Sequence, residues 1–354
     1  MTLVSQETLS LVDSVAGDYF ERSINEAGEI DHSYQHLWEN LYQLFQAGGK
    51  RLRPQMLLLA YEAFGGEDIE SVAPIAAAHE LLHFALLIHD DIIDRDYIRY
   101  GVTNISGQYK MSYSQYVLSR EDAAHYGHGT AILAGDLMLS AAYQLIAASS
   151  LDSKNKALAQ QLLSLSVFEV AGGELLDTEA SFMPYKKGRA LKVARYKTAG
   201  YSFISPLLTG ASLACQLNEK QREAIKNYAT PLGIAYQLTD DILGIFGDEE
   251  KTGKSTVGDI IEGKRTYMIE LALETFSPAD QATFMMVFGN PHATPLEVET
   301  AKKLLVSSGA LHDVEQKIEQ YTIQAKSSLE SLDLSPDYRK KFVNIVEKAT
   351  KRSS

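Results

Sequence analysis

Glu80-Leu81-Leu82-His83-Phe84-Ala85-Leu86-Leu87-Ile88-His89-Asp90-Asp91-Ile92-Ile93-Asp94 decides how the rest of the chain is read. It begins apolar on nearly every side, the pattern of a helix buried in a helical core. It ends in three aspartates. On a helix, Asp90 and Asp94 share a face one turn apart, with Asp91 beside them. Two carboxylates about 4 Å apart repel by roughly 4 kcal/mol at an effective dielectric of about 20. A hard divalent cation with oxygen ligands would offset that. The alternative is an acidic helix end that protrudes into water.

The design is repeated about 150 residues later, where Gly233-Ile234-Ala235-Tyr236-Gln237-Leu238-Thr239-Asp240-Asp241-Ile242-Leu243-Gly244 closes a helix expected over 219–246. If the two helices face each other across a bundle, five aspartates line one cavity mouth, as helical bundles build metal sites. Carboxylates without His or Cys favour Mg²⁺ or Mn²⁺ over zinc. Mg²⁺ takes one or two protein carboxylates and leaves its other positions to phosphate oxygens and water. Basic residues are then expected on the ligand's far side, and Lys50/Arg53, Arg99, Lys197 and Lys254/Lys264 are the candidates. Acidic walls, a metal and peripheral cations suit a diphosphate. Apolar helices beneath the aspartates suit a greasy tail.

Composition narrows the class. With 45% hydrophobic and 22% charged residues the chain is globular, not disordered or fibrous. A formal net charge of −13 argues against a nucleic-acid partner, which needs clustered Lys and Arg. Cys215 is the one cysteine, so no intramolecular disulfide forms. Met1–Thr8 has neither the basic nor the apolar region of a signal peptide. The uncharged run Thr198–Asn218 is long enough to span a bilayer, but its glycines, serines and Pro206 favour a buried core helix. A soluble, cytoplasmic protein without an integral membrane span is expected.

Helical periodicity covers 1–47, 55–64, 71–94, 155–171, 189–214, 219–246 and most of 267–352, and another apolar helix opens at Thr130 with a buried-looking Asp136. Residues 95–101 read as a charged loop. Weak periodicity and many tyrosines make 102–127 a mobile excursion. No β alternation and no linker appear. The expected fold is all-α, a single domain over 1–354.

These residues resemble the trans-isoprenyl diphosphate synthases, also called polyprenyl synthetases, and those of geranylgeranyl type in particular. The resemblance rests on Gly48-Gly49-Lys50-Arg51-Leu52-Arg53-Pro54, His83 through Asp94, Ala131-Ile132-Leu133-Ala134-Gly135-Asp136, Lys197-Thr198, Gln237 to Leu243, and Gly253-Lys254 to Gly263-Lys264. They follow the family's order from about residue 45 to 270; the C-terminal third matches only in helical character. The resemblance implies an isoprenoid-synthase-type bundle around a deep central pocket, a homodimer, and several Mg²⁺ ions per active site. It implies condensation of isopentenyl diphosphate with an allylic diphosphate. By carry-over, Asp90, Asp94 and Asp240 hold metal, with Asp91 and Asp241 supporting them. Arg99, Lys197, Thr198, Gln237, Lys254 and Lys264 surround the allylic diphosphate, Lys197 also counting as catalytic. Lys50, Arg53 and His83 form the isopentenyl diphosphate site.

Three positions depart from the family pattern. Tyr100 stands where a second arginine usually follows Arg99, so that contact is weakened or taken over by Arg95 or another cation. Gly244 replaces the last aspartate of the second motif, and Glu174 a usual glutamine, while Asp177 is retained. Family members that stop at farnesyl place an aromatic ring at the position of Ala85 or Leu86. Neither is aromatic here, so a geranylgeranyl or somewhat longer product is expected, with Phe84 the one nearby ring able to intrude. A class I terpene cyclase and a non-catalytic partner subunit are the competing readings. The first would carry a different second metal motif, and the second would tend to lose its aspartates.

Overall fold

The computed structural model describes residues 3–247 and 258–350, and its elements are helical apart from one two-residue hairpin. Polar caps start many of the helices. Ser5, Asp31, Asp68, Asn104 and Ser119 each accept from a backbone N–H of the following first turn, and Asn218 and Thr294 complete capping boxes with Gln221 and Glu297. The chain divides into two compact units, Met1–Leu163 with Thr209–Gln216, and Ser164–Leu208 with Leu217–Ser354.

The first unit contains α1 (Gln6–Ile30), α2 (His32–Ala47), α3 (Leu52–Ala63), α4 (Ile69–Ile93), β1 (Ile98–Arg99), β2 (Val102–Thr103), α5 (Ile105–Tyr113) and α6 (Arg120–Ala148). Its core is aromatic where α1 meets α2. Phe20 stacks on Tyr42 at 5.0 Å, and Phe45 joins Phe20 at 5.2 Å and Phe84 of α4 at 5.5 Å. Both α4 and α6 are long and apolar enough to cross a membrane. Most of α4 is buried within the protein, the mark of a core helix. Close helix contact also depends on glycine: a Cβ on Gly210 would lie 2.0 Å from the Leu57 carbonyl oxygen.

The second unit is built on α10 (Glu219–Phe246), against which the π-helix Ala194–Ile204 packs. That segment lies between α8 (Arg189–Val193) and α9 (Ser205–Ala214), so the uncharged run from Thr198 is divided between a π-helix and an α-helix. α7 (Ser153–Ala180) supplies Glu174 and Asp177 to this unit. Short α11 (Gly258–Ile261) is followed by α12 (Tyr267–Thr275), α13 (Pro278–Val287), α14 (Pro295–Ser307), α15 (Ala310–Ser328) and α16 (Pro336–Thr350). Ile234, Leu238, Ile245, Met268, Ile269, Phe284, Leu305 and Val314 meet in its core.

Three expectations are corrected. Residues 102–127 are largely regular, with β2, α5 and the first turns of α6 inside them. The charged loop from Arg95 leads into a tight antiparallel hairpin. Its two central residues, Tyr100 and Gly101, both have positive φ, 55° and 77°, which suits a primed hairpin turn. Asp136 is exposed rather than buried. It lies 3.6 Å from His89, whose ring rests where a Cβ on Gly135 would stand.

Candidate active site

In the first unit the three aspartates of α4 take different environments. Asp91 turns inward and is 3% exposed. Arg99 Nε donates to its Oδ1 at 2.8 Å, and the Arg99 NH2 group donates to the same oxygen. Burial pushes the Asp91 carboxyl up to about 6, against the opposing pull of Arg99. Asp90 is half-buried, with its Oδ2 3.8 Å from Arg99, and Asp94 caps the helix at the surface. Two outward carboxylates thus stand a turn apart beside an inward one that fixes a guanidinium. The hairpin delivers Arg99 to that place.

The basic segment before α3 divides its cations. Arg51, at φ 49°, points inward. It donates to Asp13 (2.9 Å), to Glu80 (3.3 Å) and to the carbonyl oxygens of Gly48 and Phe45, with its guanidinium 4.0 Å over the Phe45 ring. It is a strut, a role its sequence position gave no hint of. Lys50 is exposed and Arg53 half-buried. His83 is held neutral by burial and by the nearby charges of Arg53, Arg99 and Arg51. The structure therefore brings Arg53, His83 and Arg99 into one neighbourhood.

Tyr100 belongs to the same neighbourhood. Burial raises its phenol, and Glu80, Arg99, Arg53 and Arg51 all act on it. A Cβ on Gly48 would fall 2.4 Å from the Tyr100 ring, so the glycine makes room for it. The position expected to weaken an anion contact thus holds a hydroxyl among arginines, while Arg95 acts on His128 instead.

His79, one turn before His83, is fully buried. Its Nε2 has no hydrogen-bond partner among the described residues, and burial together with Arg53 lowers its pKa from 6.5 to about 3. The unfolded chain takes up this proton below pH 6.5, while the folded protein resists it until about pH 3. His79 therefore lowers stability as pH falls through that window, by about 1.4 kcal/mol per pH unit. His79→Leu is expected to remove one proton's worth of the slope. Urea unfolding from pH 6.5 to 4, compared with the parent, checks it. Parallel curves would show that His79 does not resist protonation.

In the second unit, the π-helix presents Lys197 and Thr198. Lys197 Nζ lies 2.7 Å from Asp177 and 2.9 Å from Glu174. The Thr198 hydroxyl donates to Gln237 Oε1, and Gln237 Nε2 donates to Asp241 Oδ1 at 2.8 Å, which fixes the orientation of the amide. Burial pushes Asp241 up to about 7, with Lys264 pulling the other way. Burial also works against the charge on Lys264, yet Asp259, Asp241 and Asp177 keep its pKa above the usual lysine range. Asp240 is half-buried at the end of the same face. Lys254 lies outside the described residues.

Two glycines hold the π-helix in place. A Cβ on Gly173 would meet the Lys197 backbone nitrogen at 2.3 Å, and one on Gly233 would meet the Ala199 Cα at 2.5 Å. Among the described residues no group of three His, Cys, Asp or Glu side chains is placed to cage an ion. Sparse, oxygen-only carboxylate donors fit a cation that shares its shell with phosphate and water. They do not fit a closed zinc site.

The polyprenyl synthetase family pattern matches residues 34–305. The chain belongs to the polyprenyl synthetase family. It is an all-α trans-prenyltransferase. Geranylgeranyl diphosphate synthase of Sulfolobus acidocaldarius is 30% identical over 95% of this chain and 98% of its own length. Geranylfarnesyl diphosphate synthase of Aeropyrum pernix is 30% identical over 86% of this chain and 90% of its own. A crystal structure of geranylgeranyl pyrophosphate synthase from Corynebacterium glutamicum, complexed with isoprenyl diphosphate and magnesium, superposes with a TM-score of 0.91. It is 29% identical and covers 98% of this chain and 99% of that one. Members of the polyprenyl synthetase family thus match both units of the chain.

Proposed function

We propose that this polyprenyl synthetase condenses isopentenyl diphosphate with an allylic diphosphate, uses Mg²⁺, and makes geranylgeranyl diphosphate or a somewhat longer trans product. The observation that carries the reading is that each unit sets an acidic helix end beside buried or half-buried cations. Asp90, Asp94 and Asp240 are the metal-holding carboxylates, and several ions per active site are expected. When bound, Mg²⁺ neutralises charge that grows on the departing diphosphate. Asp91 holds Arg99 in place, and Asp241 does the same for Gln237.

Lys197, Thr198, Gln237 and Lys264 bind and orient the allylic diphosphate, and Arg99 and Lys254 are assigned the same role. Lys50, Arg53, Tyr100 and neutral His83 hold isopentenyl diphosphate, His83 contributing a hydrogen bond rather than a charge. These donors favour the charge distribution of C–O cleavage. The isopentenyl double bond then attacks the allylic cation, and the released diphosphate takes the proton. No protein nucleophile is required. Buried Leu82 and Ala85, with half-exposed Leu86, form an apolar wall that keeps water away.

The assay is the purified protein with Mg²⁺, isopentenyl diphosphate and each allylic primer, the products being identified by chromatography. Hydrocarbon release without isopentenyl consumption would assign a cyclase, and no turnover with any primer would assign a partner subunit. Product length has its own test. Phe84 is occupied against Phe45, which leaves Ala85 and Leu86 as the ruler. Ala85→Phe is expected to shorten the product toward farnesyl; an unchanged product would remove α4 from the tunnel wall.

One polyprenyl synthetase domain acting as a homodimer, in the cytoplasm, completes the proposal. Support for the dimer comes from α7, where Leu165, Phe168 and Leu175 are exposed at heptad-like spacing, Phe168 by 79%. Phe168→Glu is expected to halve the particle mass in light scattering, and an unchanged mass would discard this face as the interface.

A further inference from the structure

We infer that Asp259 supplies the carboxylate that the second acidic motif lacks at Gly244, and that it presents this carboxylate to the divalent metal. The inference rests on the metal-dependent reading above and names a residue outside that reading's ligand set. Gln237, Asp241 and Gly244 follow one another at i, i+4 and i+7 on α10, so they share a face. At Gly244 that face has no side chain of its own. The space is taken instead by α11. A Cβ on Gly244 would lie 2.3 Å from Asp259 Oδ2, 3.0 Å from its Cγ and 3.5 Å from its Oδ1. Asp259 therefore puts its whole carboxylate group where a side chain from position 244 would begin.

Its surroundings match those of a site carboxylate. Asp259 is half-buried and acts on both Asp241 and Lys264. The Lys264 backbone N–H donates to the Asp259 carbonyl oxygen at 3.0 Å, which closes the short turn after α11. The glycine and the aspartate are thus two halves of one arrangement. A side chain at 244 would evict the carboxylate, and loss of the carboxylate would leave the motif one oxygen donor short. A lone counter-ion to Lys264 would need no such fit to the bare backbone of α10.

Mn²⁺ with saturating inorganic pyrophosphate serves as the probe, free Mn²⁺ being read by its electron paramagnetic resonance signal on the full chain. Asp259→Asn, which preserves shape, is expected to weaken Mn²⁺ binding by about tenfold or more. Gly244→Ala is expected to do the same by displacing the carboxylate. The exchange Gly244→Asp with Asp259→Gly, which moves the carboxylate to the motif's own position, is expected to recover binding to within about threefold of the parent. Parent-like binding by Asp259→Asn overturns the inference, even if the ligand-free protein then melts lower, because Asp259 would serve only Lys264. Failure of the exchange to recover binding overturns it as well. Asp240→Asn separates the two levels. Lost binding there beside parent-like Asp259→Asn refutes this inference alone, whereas parent-like binding in both refutes the metal-dependent reading too.

Discussion

Asp91→Ala is expected to cost about 3–5 kcal/mol of stability and to lower turnover at least a hundredfold. Asp91 is 3% exposed and receives two donors from Arg99. Deleting the buried carboxylate strands a half-buried guanidinium, and breaking a pair with a buried partner is damaging. The damage then spreads by geometry. Asp90 Oδ2 is already 3.8 Å from the same guanidinium. A released Arg99 therefore has Asp90 as its next partner, and one proposed metal-holding carboxylate becomes an ion-pair acceptor. Activity should respond to Mg²⁺ concentration with a higher half-saturation point than in the parent. Denaturant unfolding and Mg²⁺ titration of the rate check the two parts. A variant as stable as the parent, with unchanged Mg²⁺ dependence, would show that Asp91 does not position Arg99.

Gly173→Ala comes next in expected effect. A methyl group there meets the Lys197 backbone nitrogen at 2.3 Å and the Lys197 Cα at 2.7 Å. Backbone cannot rotate away as a side-chain tip can, so the π-helix or α7 must shift. Overpacking of this kind costs about 1–3 kcal/mol. Displacing positioned groups by about 1 Å can cost about a hundredfold in rate. The rate loss should fall on kcat, because Lys197 and Thr198 move together relative to the reacting bond. Gly129→Ala is the control, since a Cβ at that position meets nothing within 4 Å. It is expected to leave the rate unchanged and, by placing a better helix former inside α6, to raise stability by up to about 1 kcal/mol. Equal kcat for Gly173→Ala and the parent would show that the height of the π-helix does not matter to the reaction.

The helical elements were largely legible because their signals are local. α10 begins and ends where the sequence places it, after the Asn218 capping box and before Gly247. The apolar run of α4 reads directly as burial. Residues 102–127 were opaque because α5 does not pack through periodic apolar side chains. It meets α6 through glycine: a Cβ on Gly127 would lie 2.7 Å from the Ser106 carbonyl oxygen, and backbone proximity leaves no hydrophobic period to read. Asp136 misled for a related reason. Its neighbours are apolar, but Ile132 and Leu133 on the same helix are themselves exposed, so an apolar context did not mean burial.

The candidate site was legible as a list of residue types and opaque as a division of labour. Lys50, Arg51 and Arg53 look equivalent in sequence. Only the reach of Arg51 to Asp13 and Glu80 separates a strut from the two cations proposed to meet an anion. Asp90 and Asp91 are likewise adjacent letters, and the hairpin carrying Arg99, distant by eight residues from Asp91, decides which of them takes the close contacts of its guanidinium. Tyr100 read as a loss because its phenol was compared with an arginine. Its ring finds its place through Gly48, a partner that no local pattern names.

The π-helix Ala194–Ile204 also bears on how this chain tolerates changes in length. A π turn accommodates one residue more than an α turn before the ladder closes, and π segments occur mostly as single turns at functional sites. Removing one residue between Ala199 and Ile204 would let the segment relax to ordinary α geometry without breaking the helix. Because the π turn already holds the extra residue, the two sides of the cut would keep nearly the same bearing on each other, whereas the same cut in an α-helix would turn them by about 100°. Lys197 and Thr198 would then keep their bearings on Asp177 and Gln237 while Phe203 and Ile204 kept theirs in the core. The π segment is thus the place in this chain where a single-codon deletion is absorbed locally, by the backbone that held the extra residue, and not passed on to the whole helix.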